Sequence, residues 1–394
     1  MSPVVKPLIA IACGGTGGHL FPGIAVGDEL VNRGCRVQLL ISAKEVDQQA
    51  VKSALGMETV ILPAVGLVRG KLLAFALGFW NSYHAAKKAF RNNPPLAVLA
   101  MGGFTSAPPV LAGRKFGAVT FFHESNTIPG KANRWLAHVV DQAFVGFPMA
   151  ANRLLLQNVV TTGTPVRPQF QLTDATACRM ALGLQPNRPV LLIMGGSQGA
   201  SGVNQLVMQA LGKLVQDAPE LQFLHLTGAN DVETARAAYQ TQNCKAVVLP
   251  FLTEMELALG AATIAISRAG ASSLAEIAAM RVPSILIPYP IAADNHQYFN
   301  ARSFVDSGAA LLLHQQGATG EQLAQMVLNL LDDSATCQKM QAALTRWHAP
   351  DAAERIAEKM LWMIQVRGKW PAGMPAPSST QPNQFLENSF AAAV

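Results

Sequence analysis

Three short segments of this sequence carry the residue types best suited to chemistry. The first, Gly14-Gly15-Thr16-Gly17-Gly18-His19, follows a short apolar run and opens a helical pattern. Glycines there let the backbone take positive φ and approach a ligand closely, and the free N–H groups of a following helix N-terminus favour anionic groups. Leu20 stands where a dinucleotide fingerprint G-x-G-x-x-G needs its last glycine, and the segment lacks the Gly-Lys-Ser/Thr ending of a P-loop. A histidine at the mouth of such a loop, His19, is a candidate general base. The plainer alternative is a tight β-to-α turn that binds nothing.

The second segment, Gly195-Gly196-Ser197-Gln198-Gly199-Ala200, repeats the strand–glycine–helix arrangement in the second half of the chain, with Ser197 placed to bond a phosphate oxygen. In the third, Ser267-Arg268-Ala269-Gly270-Ala271-Ser272-Ser273-Leu274-Ala275-Glu276, small residues at a helix start expose amides suited to a diphosphate, and Arg268 adds positive charge. Glu276, in the first turn or two, can accept both hydroxyls of a ribose; it could equally be an acid that complements the helix dipole. Four further polar clusters fall at expected strand ends: 102–106 (GGFTS), 123–126 (HESN), 163–167 (GTPVR) and 294–297 (DNHQ). His123 and Glu124 are reserve candidates for the base. No Asp-x-Asp triplet is present to hold a divalent metal on a diphosphate, so the sequence implies neither a metal nor a cofactor, and turnover that survives chelators.

The elements that must position these residues form two similar halves. Continuous apolar runs, as in parallel strands buried on both faces, predict strands at Leu8–Cys13, Arg36–Ser42, Thr59–Pro63, Ala97–Met101, Val119–His123 and Gln142–Val145. The pattern restarts with Val190–Met194, Gln222–Leu226, Ala246–Leu249, Thr263–Ser267, Ser284–Pro288 and Ala310–His314. Alternation with helical patterns gives an α/β fold: two Rossmann-like, doubly wound parallel-sheet domains facing across a cleft, with a ligand at the carboxyl ends of both sheets. The expected division is residues 1–165, residues 166–350, a helix over 351–368 packing back on the first domain, and a disordered tail over 369–394 rich in Pro, Ser, Gln, Asn and Ala. Helices are expected near 320–332 and 351–366.

With 394 residues, two domains are the natural expectation. Five scattered cysteines without C-x-x-C spacing fit reduced thiols better than a disulfide framework or a zinc site. The net charge of +6 suits anionic partners, and the lack of a dense Lys/Arg run with interleaved aromatics lowers the case for nucleic acid. The run ending at Cys13 faintly resembles a lipoprotein processing site but is too short for a signal sequence, and no stretch of ~18 apolar residues predicts a transmembrane helix.

In combination and order, the motifs GGTGGHLFPG (14–23), MGGFTS (101–106), HESN (123–126), GTPVR (163–167), GGSQGA (195–200), SRAGASSLAE (267–276) and DNHQYFNA (294–301) resemble the MurG family. These are UDP-N-acetylglucosamine–N-acetylmuramyl-(pentapeptide) pyrophosphoryl-undecaprenol N-acetylglucosaminyltransferases, and the resemblance runs to about residue 366. It implies a GT-B fold, with the lipid-linked acceptor on the first domain and the UDP-sugar on the second. It also implies inverting transfer of N-acetylglucosamine to the muramyl 4-hydroxyl (lipid I to lipid II), a reaction that needs a base, for which His19 is the first candidate ahead of His123 and Glu124. By resemblance Glu276 holds the ribose, while Arg167 and the Leu252 backbone lie near the uracil. Ser197 with Ala271–Leu274, flanked by Arg268 and Ala275, meets the diphosphate. Asn126 and Gln297 contact the sugar, and Thr16, Gly17 and Gly18 close on the donor from the other domain. The chain departs from the family's usual residues at Ser125, Thr164 and His296.

A lipid-linked acceptor implies a peripheral protein on the cytoplasmic face of the plasma membrane. The segment from Arg69 to Trp80, with Leu72, Phe75, Phe79 and Trp80 followed by Lys87, Lys88 and Arg91, fits an interfacial patch on anionic lipid. Otherwise it is a helix of the first domain with Leu72, Leu73 and Phe79 in its core. Two rival functions remain: a UDP-N-acetylglucosamine 2-epimerase-like enzyme, acting on the soluble donor alone, and a catalytically inactive cell-wall scaffold.

Overall fold

The computed structural model describes residues 6–15, 17–44, 47–48, 51, 54, 56–64, 72–196 and 199–371. Thr16, Ser197, the Arg69–Lys71 start of the apolar segment and the tail from residue 372 therefore lie outside the described residues.

Twelve strands fall where the apolar runs predicted them, with ends within two residues: β1 Leu8–Ala12, β2 Arg36–Ser42, β3 Glu58–Leu62, β4 Ala97–Ala100, β5 Val119–Glu124 and β6 Gln142–Val145, then β8 Val190–Met194, β9 Gln222–Leu226, β10 Ala246–Leu249, β11 Ile264–Ser267, β12 Ser284–Leu286 and β13 Leu311–Leu312. Sequence reasoning missed β7, Val159–Thr161. It is three residues long, half-buried and at the sheet edge, so it shows neither a long apolar run nor an alternation. The helices that matter to the site are α1 (Gly17–Asn32), α2 (Leu72–Arg91), α3 (Ala107–Lys115), α4 (Lys131–Leu136), α5 (Ser201–Asp217), α6 (Ala271–Met280), α7 (His296–Asp306), α8 (Gly320–Asp332) and α9 (Ala352–Val366).

Both sheets are parallel. Their orders are β3-β2-β1-β4-β5-β6-β7 and β10-β9-β8-β11-β12-β13, which is the same 3-2-1-4-5-6 winding with one strand added to the first. This winding reverses direction beside the first strand of each sheet, where α/β proteins bind ligands outside the carboxyl ends. Alternate residues of each strand face opposite ways. In the first sheet Ile9, Ile11, Leu39, Leu99 and Phe121 enter one core layer. Ala10, Ala12, Leu40, Val98 and Phe122 enter the other.

The chain divides into two compact units, one of residues 1–167 with 350–394 and one of 168–349. A proline stands at each crossing, Pro168 and Pro350. The return of the C-terminal segment to the first unit follows from its apolar face: Ile356, Ala357, Met360, Leu361 and Ile364 of α9 are fully buried in the core layer that contains α1. Arg33 of α1 adds ion pairs of 3.2 Å to Glu354 and 3.3 Å to Glu358. Such partly exposed pairs contribute little, and the apolar burial dominates.

Candidate functional site

In the first unit the glycine segment leaves β1, the 102–106 loop leaves β4, His123 and Glu124 end β5, and the 163–167 loop follows β7. All four strands are parallel, so these groups share one edge of the sheet. His19 stands in the first turn of α1, half-buried. Its imidazole lies against the backbone of Gly102 and Gly103: a Cβ on Gly102 would stand 3.0 Å from Nε2, and one on Gly103 3.1 Å from Nδ1. Both glycines also have positive φ, +103° and +78°. Side chains are therefore excluded there twice, by backbone conformation and by the ring. Thr105 Oγ1 donates to Gly14 O at 2.5 Å, tying the two loops together.

The two reserve bases are corrected by their surroundings. His123 is fully buried, with Nε2 2.9 Å from Gly163 O and Nδ1 3.2 Å from Ser125 Oγ. The carbonyl can only accept, so Nε2 carries the proton. Burial pushes the His123 pKa down to about 4; the bond to Gly163 opposes this and the neighbouring His19 adds to it. Glu124 is buried and accepts four hydrogen bonds: at Oε1 from Asn126 N and Nδ2 (2.9 and 3.0 Å), and at Oε2 from Gly130 N and Asn133 Nδ2 (2.8 and 2.9 Å). A neutral, doubly engaged imidazole and a carboxylate with four donors hold the loop and the start of α4. Neither has an open position for a substrate proton.

Arg167 lies in the first unit, its guanidinium 4.5 Å from the Phe21 ring centroid of α1. Helix α2 turns Gly78, Ser82, Ala86 and Phe90 inward. Leu72, Leu73, Leu77 and Trp80 are 72%, 82%, 63% and 60% exposed, so Leu72 and Leu73 are surface residues and not core ones. Phe79, expected on the patch, packs instead against the core layer beneath, and Phe75 is half-buried. Lys88 and Arg91 charge the last turn, and Lys87 lies 5.4 Å over the Tyr83 ring.

In the second unit β8 and β11 are neighbours, and Met194 pairs with Ser267. The strands therefore end level, and the loops beyond them open α5 and α6. Neither helix has a side-chain cap: the N-cap positions are Ala200 and Gly270. Each therefore presents first-turn amides and the positive end of its dipole beyond the carboxyl end of its strand, which suits a diphosphate. On α6, Ala271 and Leu274 face the core while Ser272, Ser273, Ala275 and Glu276 are half-buried. Glu276 sits in the second turn. Gly199 is obligatory, since a Cβ there would stand 2.3 Å from Thr227 O.

Arg268 holds its guanidinium on carbonyls just beyond β12, at the same carboxyl edge of the sheet. It is buried, and its nitrogens donate to Ile287 O (3.0 Å), Pro288 O (3.1 Å) and Gln315 Oε1 (2.7 Å). Three acceptors compensate its desolvation, which lowers the arginine pKa. Its role is to brace the loop after β12. Gln297 Oε1 accepts from Tyr289 N at 2.9 Å, and Asp294 and Asn295 before it take left-handed φ of +50° and +58°. A cavity of about 380 Å³ beside this loop is lined by Tyr289, Asn295, Tyr298, His314, Gln315 and Gln316. Leu252 is half-buried on the loop beyond β10. Among the described residues no group of three or more His, Cys, Asp or Glu side chains is arranged to hold a metal ion.

Sequence reasoning also missed a buried network behind the second glycine segment. Asn204 Nδ2 donates to Thr227 O (2.9 Å) and Asp231 Oδ2 (2.7 Å), which leaves Asn204 Oδ1 to accept from His225 Nε2 at 3.0 Å. His225 Nδ1 then accepts from the Tyr239 hydroxyl at 3.0 Å. Burial pushes the His225 pKa down to about 4, with Asp231 opposing. The available signal was position alone: a polar residue in an otherwise apolar strand.

Known proteins share both halves. The glycosyltransferase family 28 N-terminal domain matches residues 9–145 and the family 28 C-terminal domain matches residues 190–356. The UDP-N-acetylglucosamine–N-acetylmuramyl-(pentapeptide) pyrophosphoryl-undecaprenol N-acetylglucosamine transferase of Anaeromyxobacter sp. (strain K) is 36% identical over 391 residues, 95% of this chain and 96% of that protein. The Synechocystis sp. protein of the same name is 36% identical over 353 residues, covering 89% and 95%. The crystal structure of Acinetobacter baumannii MurG superposes with a TM-score of 0.71 at 28% identity, covering 91% of this chain and all of that one. A structure described as a UDP-N-acetylglucosamine 2-epimerase from Listeria monocytogenes reaches a TM-score of 0.67 at 15% identity, a likeness of fold alone. The fold is of the GT-B type, and the chain belongs to the MurG family of UDP-N-acetylglucosamine–N-acetylmuramyl-(pentapeptide) pyrophosphoryl-undecaprenol N-acetylglucosamine transferases.

Proposed function

We propose that this protein moves N-acetylglucosamine from UDP-N-acetylglucosamine to the 4-hydroxyl of undecaprenyl-diphosphoryl-N-acetylmuramoyl-pentapeptide, with inversion, forming lipid II from lipid I. The observation that carries this reading is the pair of uncapped helix N-termini of α5 and α6, each following one of two neighbouring strands that end level, with Glu276 one turn on. Together they match a diphosphate joined to a ribose.

In this mechanism His19 takes the proton of the 4-hydroxyl as its oxygen attacks the anomeric carbon. The carbon–oxygen bond to UDP breaks, its electron pair leaving on the β-phosphate. Charge growing there is met by the α5 and α6 amides, with Ser197 and Ala271–Leu274 contributing, so the step needs no metal. Glu276 holds the ribose, Leu252 and Arg167 lie toward the uracil, and Asn126 and Gln297 meet the sugar. Thr16, Gly17 and Gly18 complete the donor contacts. Residues 1–165 with the 351–368 helix serve the acceptor, and residues 166–350 serve the donor.

The exposed Leu72, Leu73, Leu77 and Trp80, above the basic last turn of α2, support a peripheral seat on anionic lipid at the cytoplasmic face. Among the described residues no helix is long and apolar enough to cross a membrane. An epimerase acting on soluble donor would leave this surface without a role.

The test is transfer from labelled UDP-N-acetylglucosamine to a muramyl-diphosphoryl-lipid analogue with EDTA present. A product carrying one added β-linked sugar is expected. Epimerised donor without transfer would reject the reading, and transfer only after magnesium is added would reject its metal-free step.

A further inference from the structure

One fully buried carboxylate in the first unit belongs to none of the segments above. Asp47 lies beyond the end of β2 with no exposed surface. Its Oδ2 accepts from Gly15 N at 2.6 Å, from Ser42 Oγ at 2.5 Å and from Ser42 N at 3.3 Å. From the same stretch Lys44 Nζ donates to Gly15 O at 2.9 Å and lies 5.3 Å over the Phe104 ring. With Thr105 on Gly14 O, consecutive polar groups of the glycine segment are each tied down by a side chain: Gly14 C=O by Thr105, Gly15 N–H by Asp47 and Gly15 C=O by Lys44.

Four residues further on is His19, whose ring faces Gly102 and Gly103 on the loop that also supplies Phe104 and Thr105. The segment has no side chains of its own at Gly14 and Gly15 to fix its path, so its conformation is set by these neighbours. A buried carboxylate costs several kcal/mol of desolvation unless it is bonded. Among the described residues Oδ1 has no partner, and the three donors converge on Oδ2. That is a poor arrangement for stability alone, and it suits a group kept to hold one peptide in place.

We propose that Asp47 and Lys44 are positioning residues for the transfer step: a charged clamp on the N–H and C=O of Gly15 that fixes where α1 begins and so where His19 stands. This rests on the assignment of His19 as base. The clamp acts chiefly through the base, so it bears on turnover more than on UDP affinity, whose diphosphate and ribose contacts lie in the second unit.

The experiment compares Asp47→Asn, Lys44→Met, Lys44→Arg, His19→Ala and the double variant Asp47→Asn/His19→Ala, reading kcat for transfer, UDP affinity by calorimetry and the melting temperature. Asp47→Asn and Lys44→Met are expected to lower kcat about 10- to 100-fold, with UDP affinity within about twofold. Lys44→Arg, which keeps a charged donor, recovers part of the Lys44→Met loss. The double variant turns over no more slowly than His19→Ala alone, because the clamp works through His19. Losses that multiply in the double variant, or UDP affinity that falls in step with kcat, would overturn the clamp. So would an undiminished kcat in Asp47→Asn while His19→Ala is slow. If His19→Ala is itself undiminished, the base assignment is what fails. If Asp47→Asn does not fold, Lys44→Met with its Arg rescue and the Lys44→Met/His19→Ala double variant carry the same test.

Discussion

Strands β1 and β8 hold the same place in two sheets of the same order, and each runs into a glycine segment followed by a helix. The residues around the two segments differ in kind. The first is gripped by charge, with Asp47 and Lys44 on the two peptide groups that flank the Gly15 Cα, and carries an imidazole laid on a glycine pair. The second has its charge one residue removed: a chain of Tyr239, His225 and Asn204 stands between it and Asp231, and Gly199 packs directly on the Thr227 backbone. The difference follows from what each must present. A reactive side chain needs its backbone anchored, and strong acceptors can do that. Amides meant for a diphosphate need to stay uncapped, and a carboxylate set against them would occupy the same N–H groups and repel the ligand.

If this division holds, the variants separate cleanly. The largest effect belongs to His19→Ala: a loss of kcat of about 100-fold or more, the usual range for a general base, with UDP affinity unchanged. Near-normal turnover would remove the distinction between the two segments.

Next come two single methyl groups. Gly103→Ala forces a side chain into a positive φ and into the imidazole, and Gly199→Ala drives one into Thr227 O. Each should cost about 1–3 kcal/mol of stability. Their kinetic signatures should differ, with kcat falling about tenfold for the first and UDP affinity about tenfold for the second. Identical signatures would mean that both segments serve one substrate group.

Acid should then affect both halves alike. His123 and His225 have folded pKa values of about 4 against an ordinary 6.5. The unfolded chain thus binds more protons than the folded one between those values, and stability rises with pH across that window. It is fully present above about pH 6.5 and is lost as pH falls towards 4, by up to ~3 kcal/mol per histidine. His225→Asn should flatten the melting profile of the second unit between pH 7 and 5 while leaving that of the first. A profile that stays steep would show that other groups set the acid limit.

The smallest effect concerns the first unit's exposed helix. Leu73→Ser with Trp80→Ser should weaken binding to vesicles containing anionic lipid several-fold. Unchanged binding would remove lipid contact from the contrast between the units.

The sheets were legible because strands buried on both faces read as unbroken apolar runs, as Leu8–Ala12 and Val190–Met194 do. The glycine segments were legible because their composition is local. Side-chain direction was not. Arg268 stands beside an anion-suited helix start, yet its guanidinium goes to the Ile287 and Pro288 carbonyls just beyond β12, 19 and 20 residues on. Glu124 lies in a polar cluster that suggested catalysis, and its four donors are visible only once β5 and α4 are folded. On α2 the periodicity indicates an amphipathic helix, but which aromatic residue turns inward, Phe79 rather than Trp80, depends on the layer beneath it. Asp47 carries no local signal for this role, because the Gly15 it holds is 32 residues away.

The path of the chain through its two units also governs how it assembles. The second unit is one uninterrupted stretch, 168–349, whereas the core layer around α1 takes Ile356, Met360, Leu361 and Ile364 from beyond it. During synthesis from the N-terminus, the later-made unit has all its residues before the earlier one does, since domains fold as units once their chain has emerged. Until α9 arrives, α1 has one flank uncovered, with Ile24 and Leu30 among the core residues left without their partners. A chain released after residue 349 should therefore hold a folded second half and an incomplete first half, with the flank of α1 left exposed to chaperones.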